Sequence, residues 1–208
     1  MNLMHKIKAG LNNDLKTFVA FQIIIALVCI LIPVLLRLAD KSYKGFRSSI
    51  SDYARMPNSY VYGMLLCMAA MLFIYNGAVY FQRTKKGLQG INQHGKWYNV
   101  VLGVSLLLVI IFPTDKYETV HYVFSIIFFG GNAAVTAIFY CKKYRSIRIL
   151  LAILTVVSFA LFFAKILIPT IFWAEWLSLT VVSIHFILEA KTATDEMNYQ
   201  KAVTLSNL

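Results

Sequence analysis

The feature that most constrains this chain is a series of long apolar runs that recurs along its whole length. Six runs reach or approach the roughly 20 apolar residues that a helix needs to cross a bilayer. They are residues 17–36, 60–81, 97–112, 120–141, 149–168 and 171–188. Pro169 separates the last two, because proline lacks an N–H and restricts its predecessor. The pattern predicts an all-α, polytopic integral membrane bundle of about six transmembrane helices, with residues 1–208 as a single domain.

The composition excludes an ordinary soluble domain. Of the 208 residues, 59% are hydrophobic and only 14% are charged, whereas soluble chains carry roughly 25% charged residues. A bilayer solvates such an apolar surface. The formal net charge of +11 falls mostly in short segments between the runs, which is typical of membrane orientation and of contact with anionic headgroups. We therefore expect membrane lipids, and no nucleic acid, as partners.

Basic residues are distributed unevenly over the segments between the runs. With a cytoplasmic N-terminus, most of them fall on the cytoplasmic side, including Lys96 and the stretch from Lys142 to Arg148. The positive-inside rule then predicts that both ends of the chain are cytoplasmic. The segment from Arg37 to Ser59 is the exception, since it carries five basic residues on the outer side. We expect this segment to have a role other than topology.

Ionisable and hydroxyl side chains gather at the outer ends of the predicted helices. They are Ser49, Ser51, Asp52 and Tyr53 in the first outer segment, Asp115 in the second, His121 opening the fourth run, Lys165 near the outer end of the fifth, and Glu175 about one turn into the sixth. Ionisable groups inside a membrane are costly and tend to face the bundle interior in pairs. The sequence therefore predicts a polar, ligand-binding pocket near the outer leaflet.

The pocket residues fit more than one chemistry. A serine with a histidine and a carboxylate supplies the groups of nucleophilic hydrolysis, and the candidates are Ser49, Ser51, His121, Asp52 and Asp115. A mixed nitrogen and oxygen metal site would draw on Asp52, His121 and Glu175. Neither set has a diagnostic spacing, and the sequence contains no H-E-x-x-H or G-x-S-x-G motif. Enzymatic activity, catalytic residues and any cofactor therefore stay open.

Each of these residues also has a structural interpretation. Asp52 is typical of turns, and Lys165 with Glu175 can form a buried ion pair that fixes the register of the last two helices. His185 and Glu189 are four residues apart on the sixth helix, so they share one face and predict a structural pair on the cytoplasmic side.

Several short motifs resemble those of known membrane proteins. In order, they are Ser49–Tyr53, Phe112–Asp115, His121 and Phe172–Glu175. Their order resembles the uncharacterised DUF998-type multi-pass proteins of bacteria. Ala174–Trp176 is similar to an element of the Frag1/DRAM/Sfk1 superfamily. The resemblance extends from about Ser49 to Glu189, although the residues after Tyr53 depart from the bacterial pattern.

The resemblance implies a six-helix fold in a bacterial inner (cytoplasmic) membrane and supplies no catalytic residues. Relatives in the looser superfamily are linked to lipid-anchor remodelling, lipid asymmetry and autophagy, which favours lipid-related work by analogy. We therefore expect an outer pocket that binds, senses or remodels a lipid headgroup, drawn there by the basic loop. Two alternatives are a structural or regulatory subunit that docks a cytoplasmic partner through basic loops such as Lys142–Arg148, and a small transporter or channel. The partner of the chain is then a cytoplasmic protein or, in a homo-oligomer, a second copy.

Overall fold

The computed structural model describes residues 3–83, 96–138 and 144–206, and within these ranges the chain is entirely helical, without β-strands. The elements are α1 (Leu3–Ala39), a 3-10 helix (Ser51–Arg55), α2 (Ser59–Arg83), α3 (Trp97–Ile111), α4 (Thr114–Ile138), α5 (Arg145–Phe163) and α6 (Ile171–Ser206). The predicted all-α class is confirmed. Each predicted run overlaps one helix, although residues 139–141 at the end of the fourth run lie outside the described residues.

Five helices, all except α3, are long and apolar enough to cross a membrane. The outward faces of these helices are strongly apolar: Met64 is 67% exposed, Ile126 69% and Leu150 65%. An apolar surface of this kind needs lipid around it, which is consistent with an integral membrane protein. At 15 residues, α3 is about 22 Å long, shorter than a typical hydrocarbon core. Six complete spans, the predicted orientation and the single domain stay predictions.

The helices form a closed ring in which each helix packs against its neighbour in the chain and α6 packs against α1. Two contacts along α6 show which part of the chain lies at each end of the bundle. Phe172 N–H donates to Ser48 O (2.9 Å) at one end, and the Ser183 hydroxyl donates to Ala26 O (2.8 Å) farther along. We call the first the loop end, since it carries residues 40–58, and the opposite one the terminal end.

Aromatic rings fill the centre of the bundle between these ends. The Phe73 ring lies 5.7 Å from that of Phe128 and 5.4 Å from that of Phe186, centroid to centroid. All three side chains are completely buried or nearly so. We call this group the aromatic plug, and its edge-to-face ring pairs add to the stabilisation from apolar burial.

Helices α2 and α3 approach closely at two glycines. A Cβ atom on Gly103 would lie 2.6 Å from the carbonyl oxygen of Ala70, and one on Gly77 would lie 2.7 Å from the backbone nitrogen of Val100. Both distances are too short for a carbon atom next to rigid backbone. Small residues let membrane helices pack backbone to backbone, so these glycines set the spacing between α2 and α3.

The connection between α5 and α6 differs from the sequence prediction. Helix α5 ends at Phe163 rather than Ile168, so the prediction that Lys165 lies within this helix is wrong. Lys165 has a left-handed backbone (φ 56°), its N–H donates to Phe162 O, and Ile166 N–H donates to Leu161 O. This pattern is a Schellman cap. The cap leaves Lys165 exposed in the hairpin, beyond the end of the helix.

Gly103→Ala tests the close packing of α2 and α3. We expect it to lower the free energy of unfolding by about 1–3 kcal/mol, because the added methyl group meets backbone and the helices must separate. Gly63→Ala is the matched control, since a Cβ atom on Gly63 of α2 meets nothing within 4 Å and alanine favours helix. Unfolding in mixed micelles measures the free energy of unfolding of both variants. Equal values for Gly103→Ala and Gly63→Ala would contradict the assigned packing.

Candidate functional site

Residues 40–58 form an ordered loop, called here the cap loop, that is held by an internal ion pair. The Asp40 carboxylate accepts a hydrogen bond from Arg47 Nε (2.6 Å) and others from the Ser42 hydroxyl and N–H (2.6 and 3.0 Å). The Arg47 guanidinium holds the pKa of Asp40 below its ordinary value. The Arg47 N–H donates to the Tyr53 hydroxyl (3.4 Å). Burial raises the pKa of this phenol.

An aromatic cluster holds the cap loop against the first turns of α6. The Phe46 ring lies 4.8 Å from that of Phe172, 5.6 Å from Trp173 and 5.3 Å from Trp176. Phe172 is completely buried. The aromatic residues that the sequence places at the start of the sixth helix therefore act as a docking surface for this loop.

Glu175 joins the cap loop to α6 by a hydrogen bond inside the bundle. Its Oε2 atom accepts the Ile50 N–H at 2.6 Å, and the side chain is only 7% exposed. A carboxylate with a backbone N–H partner is a charge-assisted acceptor, stronger than a neutral one. The bond places the 3-10 helix directly beside the start of α6.

A cavity of about 800 Å³ opens beneath the cap loop, between α4 and α5. Its polar end is lined by residues that the sequence predicts as a pocket, namely Ser49, Ser51, Asp52, His121 and Glu175. Ser48, Arg55 and Ser125 line the same end. The rest of the wall is mainly apolar and includes Phe129, Val156, Phe159 and Phe162. The cavity is therefore polar at the loop end and apolar towards the middle of the bundle.

Several residues of the cavity wall are also exposed on the outside of the bundle. Ile126 is 69% exposed, Val156 60% and Phe163 72%. They belong to α4 and α5, so the cavity is a lateral opening between these helices. In a membrane this opening faces lipid.

Three predicted pocket residues do not line this cavity. Tyr53 is completely buried and supports the cap loop through Arg47. Asp115 is exposed in the first turn of α4. Lys165 is exposed in the α5–α6 hairpin, so it does not form the ion pair with Glu175 that the sequence suggests; the Schellman cap is the physical reason.

His121 is positioned by a break in α4. Tyr117 has non-helical backbone angles, and His121 Nδ1 lies 2.9 Å from the carbonyl oxygen of Phe112 at the end of α3. Its ring is 4% exposed. It lines both the large cavity and an adjoining one of about 40 Å³, which Ser51 and Glu175 also line.

Hydrogen bonds at the polar end connect Asp52 and the serines to one another, and an ion pair connects Asp52 to Arg55. Asp52 accepts from the Ser48 hydroxyl and lies 3.8 Å from Arg55, and the Ser49 and Ser51 hydroxyls bond to each other (3.0 Å). Among the described residues these bonds do not form a serine–histidine–carboxylate chain. In the same ranges, no three His, Cys, Asp or Glu side chains are grouped to hold a metal ion, Asp52, His121 and Glu175 included.

A second polar cluster lies at the terminal end of the bundle. Lys96 donates to the Glu189 carboxylate, and His185 Nε2 lies 3.7 Å from Glu189 Oε1. Arg148 is 2% exposed and within electrostatic reach of Glu189. Lys96 Nζ also lies 4.9 Å from the centre of the Phe18 ring. The cluster ties α1, α3, α5 and α6 together.

The sequence predicts this second cluster only in part. The proximity of His185 and Glu189 on α6 is confirmed. The sequence treats Lys96 and Arg148 only as basic residues of cytoplasmic segments. It does not predict that both are buried, with Lys96 bonded to Glu189 and Arg148 within electrostatic reach of it. Their positions directly before an apolar run give the only sequence signal. Lys142 and Lys143, which share the basic stretch with Arg148, lie outside the described residues.

Residues 31–190 match the model of a family of unknown function, DUF7103. The chain belongs to this family. The resemblance to DUF998-type proteins and to the Frag1/DRAM/Sfk1 superfamily is not confirmed by that match. No curated protein and no solved structure matches the chain.

Asp40→Asn tests the ion pair of the cap loop through its pH dependence. The pKa of Asp40 is lowered in the folded protein, so the pair stabilises the loop above the ordinary carboxyl range. This contribution is lost as the pH falls through the lowered pKa. We therefore expect the variant to release the loop at neutral pH and to differ little from the parent in strong acid.

Fluorescence of Trp173 and Trp176, which contact Phe46, measures release of the loop, in a Trp97→Phe background. Asp115→Asn, which removes an exposed carboxylate outside this contact, is the control. The same pH profile for Asp40→Asn and its parent would contradict the assigned role.

Proposed function

We propose that this member of the DUF7103 family binds a membrane lipid in the lateral cavity between α4 and α5. The headgroup would occupy the polar end under the cap loop, and acyl chains would follow the apolar wall. The proposal is for lipid binding by a membrane-like helical protein, and it leaves open whether the lipid is sensed or altered.

The two-part lining of the cavity carries this proposal. Carboxylate, hydroxyl and imidazole groups lie at one end, on Asp52, Ser51 and His121, and aromatic rings such as Phe159 and Phe162 line the remainder. A ligand that matches this lining has a compact polar group joined to an apolar body. At about 800 Å³, the cavity is within the usual range of ligand sites, about 300–1,000 Å³.

The position of the opening supports a ligand that arrives from the membrane. Its edges are exposed apolar residues of two membrane-type helices, among them Ile126 and Val156. A lipid can enter sideways between these helices and keep the ends of its chains in the bilayer. Its headgroup would then lie beside the first turns of α4 and α6, near the membrane surface.

The interior of the bundle favours binding over passage. The aromatic plug of Phe73, Phe128 and Phe186 is buried between the cavity and the terminal-end cluster. A path from one polar region to the other would have to displace these rings. For this reason we favour a lipid site over a transporter or channel.

The charges support the proposed placement in the membrane. With both chain ends in the cytoplasm, the cap loop and the polar end of the cavity belong to the outer leaflet, as the positive-inside rule suggests. Docking of a cytoplasmic partner through the basic stretch before α5 has less support, since Arg148 is buried against Glu189. The resemblance to bacterial multi-pass proteins suggests the bacterial cytoplasmic membrane.

Gly130→Phe tests the cavity as a lipid site. Gly130 lines the cavity, and the nearest atom to a Cβ there is Ile126 Cγ2 at 4.0 Å, so a phenyl ring has room to enter. We expect lipid that co-purifies with the gently solubilised protein to fall about tenfold or more, equivalent to about 1.4 kcal/mol of affinity. Native mass spectrometry measures this.

The matched control is Gly63→Phe on α2, where the added ring also meets open space but does not enter the cavity. This variant should retain the lipid of the parent protein. The same lipid occupancy in both variants would contradict the proposed site.

A further inference from the structure

We infer that the lipid bound in this cavity carries a phosphate-linked primary amine, the chemistry of a phosphoethanolamine headgroup. The inference rests on the proposed lipid site and specifies its ligand. It follows from three observations. They are the balance of hydrogen-bond acceptors and donors at the polar end, the position of Arg55, and the bonds that already engage Arg37 and Arg47.

Acceptor groups dominate the deep part of the polar end. Glu175 offers two carboxylate oxygens, and only Oε2 is bonded, to the Ile50 N–H. Within the part of the chain that the structure describes, Oε1 has no hydrogen-bond partner. Glu175 is 7% exposed and lines the cavity. Because Glu175 lines the cavity, an oxygen that is not bonded within the protein can accept from a ligand there, so this end favours a ligand that donates.

Asp52 adds a second carboxylate to the same wall. It is bonded to the Ser48 hydroxyl, and its backbone N–H donates to the Ser49 hydroxyl (3.0 Å). A primary ammonium group has three N–H donors and no acceptor, which matches a wall of carboxylate and hydroxyl oxygens. A trimethylated ammonium has no N–H to donate and fits less well.

Arg55 provides the complementary group for phosphate at the mouth of the cavity. Arg55 lines the cavity, and its guanidinium lies 3.8 Å from Asp52 Oδ1, too far for a hydrogen bond. Its side chain is 58% exposed. Guanidinium binds phosphate oxygens through paired N–H groups. A headgroup with its amine near Glu175 and Asp52 can thus place its phosphate near Arg55.

Two neighbouring arginines, Arg47 of the cap loop and Arg37 near the end of α1, are engaged elsewhere. Arg37 donates to the Asp40 carbonyl oxygen (3.2 Å), and Arg47 pairs with the Asp40 carboxylate. A headgroup with phosphate alone would therefore meet one guanidinium and the carboxylates behind it. The structure thus favours a zwitterionic headgroup over the anionic one that the basic loop suggests in the sequence.

Competition among three lipids with identical acyl chains tests the inference. Phosphatidylethanolamine, phosphatidylcholine and phosphatidylglycerol are titrated into delipidated full-length protein in detergent, with binding measured by native mass spectrometry. We expect phosphatidylethanolamine to bind about tenfold more tightly than either of the others. Acyl-free glycerophosphoethanolamine should bind more weakly still, which distinguishes a lipid ligand from a free headgroup.

Two substitutions separate the roles of the amine and the phosphate. Glu175→Gln keeps an oxygen acceptor for Ile50 but removes the charge, so it should reduce the preference for phosphatidylethanolamine over phosphatidylcholine. Arg55→Gln should weaken both lipids by a similar factor and keep that preference. Lys44→Gln, in the exposed part of the cap loop, is the control and should change neither. Asp52→Asn serves in place of Glu175→Gln if the latter does not fold.

The outcomes distinguish this inference from the proposed function. If all three lipids bind equally, or phosphatidylglycerol binds most tightly, the amine assignment is wrong while the lipid site stands. If none binds and none co-purifies, both are wrong. Equal affinity for the acyl-free compound and the lipid would reject a lipid ligand and leave only a headgroup site.

Discussion

The hydrogen bond between the Ile50 N–H and the Glu175 carboxylate (2.6 Å) is the contact on which the rest of the site depends. It joins a loop that lies between α1 and α2 to the start of α6, at the other end of the sequence. Because Glu175 and the Ile50 N–H are buried, loss of this bond would cost about 1–3 kcal/mol. The bond therefore fixes where the 3-10 helix lies, and with it Ser51 and Asp52.

Other contacts reinforce this one without replacing it. Phe46 packs on the aromatic residues of α6, and Arg47 closes the loop through Asp40. These contacts stiffen the cap loop and hold it on the bundle. Residues of this loop therefore line one end of the cavity between α4 and α5. Two of the five basic residues from Arg37 to Ser59, namely Arg37 and Arg47, serve the internal structure of this region through Asp40.

The sequence predicts the helices well because each must bury its backbone groups internally and present an apolar face to lipid. It also predicts that Ser51, Asp52, His121 and Glu175 converge, since all lie near the same end of their helices. Lys165 and Asp115 share that depth but face away, one through a left-handed helix cap and the other from an exposed first turn. Depth can be read from sequence, whereas direction around a helix axis depends on packing.

In the terminal-end cluster, too, the sequence does not reveal the direction in which side chains point. Lys96 and Arg148 look like topology charges because they flank apolar runs, yet they turn inward to Glu189. What draws them inward is a carboxylate on another helix, and periodicity within one helix does not reveal it. The apolar part of the cavity is not predicted from the sequence either, because it is lined by residues of α4 and α5 that belong to no motif.

The central claim is that a lipid lies in this cavity, and photo-crosslinking tests it most directly. A phospholipid with a diazirine on its acyl chain would be incorporated into membranes with the protein, activated by light and mapped by peptide mass spectrometry. The account predicts adducts concentrated on Phe129, Phe159 and Phe162. Adducts spread over the outward faces of all helices, such as Leu27 of α1 and Met68 of α2, without enrichment in the cavity, would contradict it.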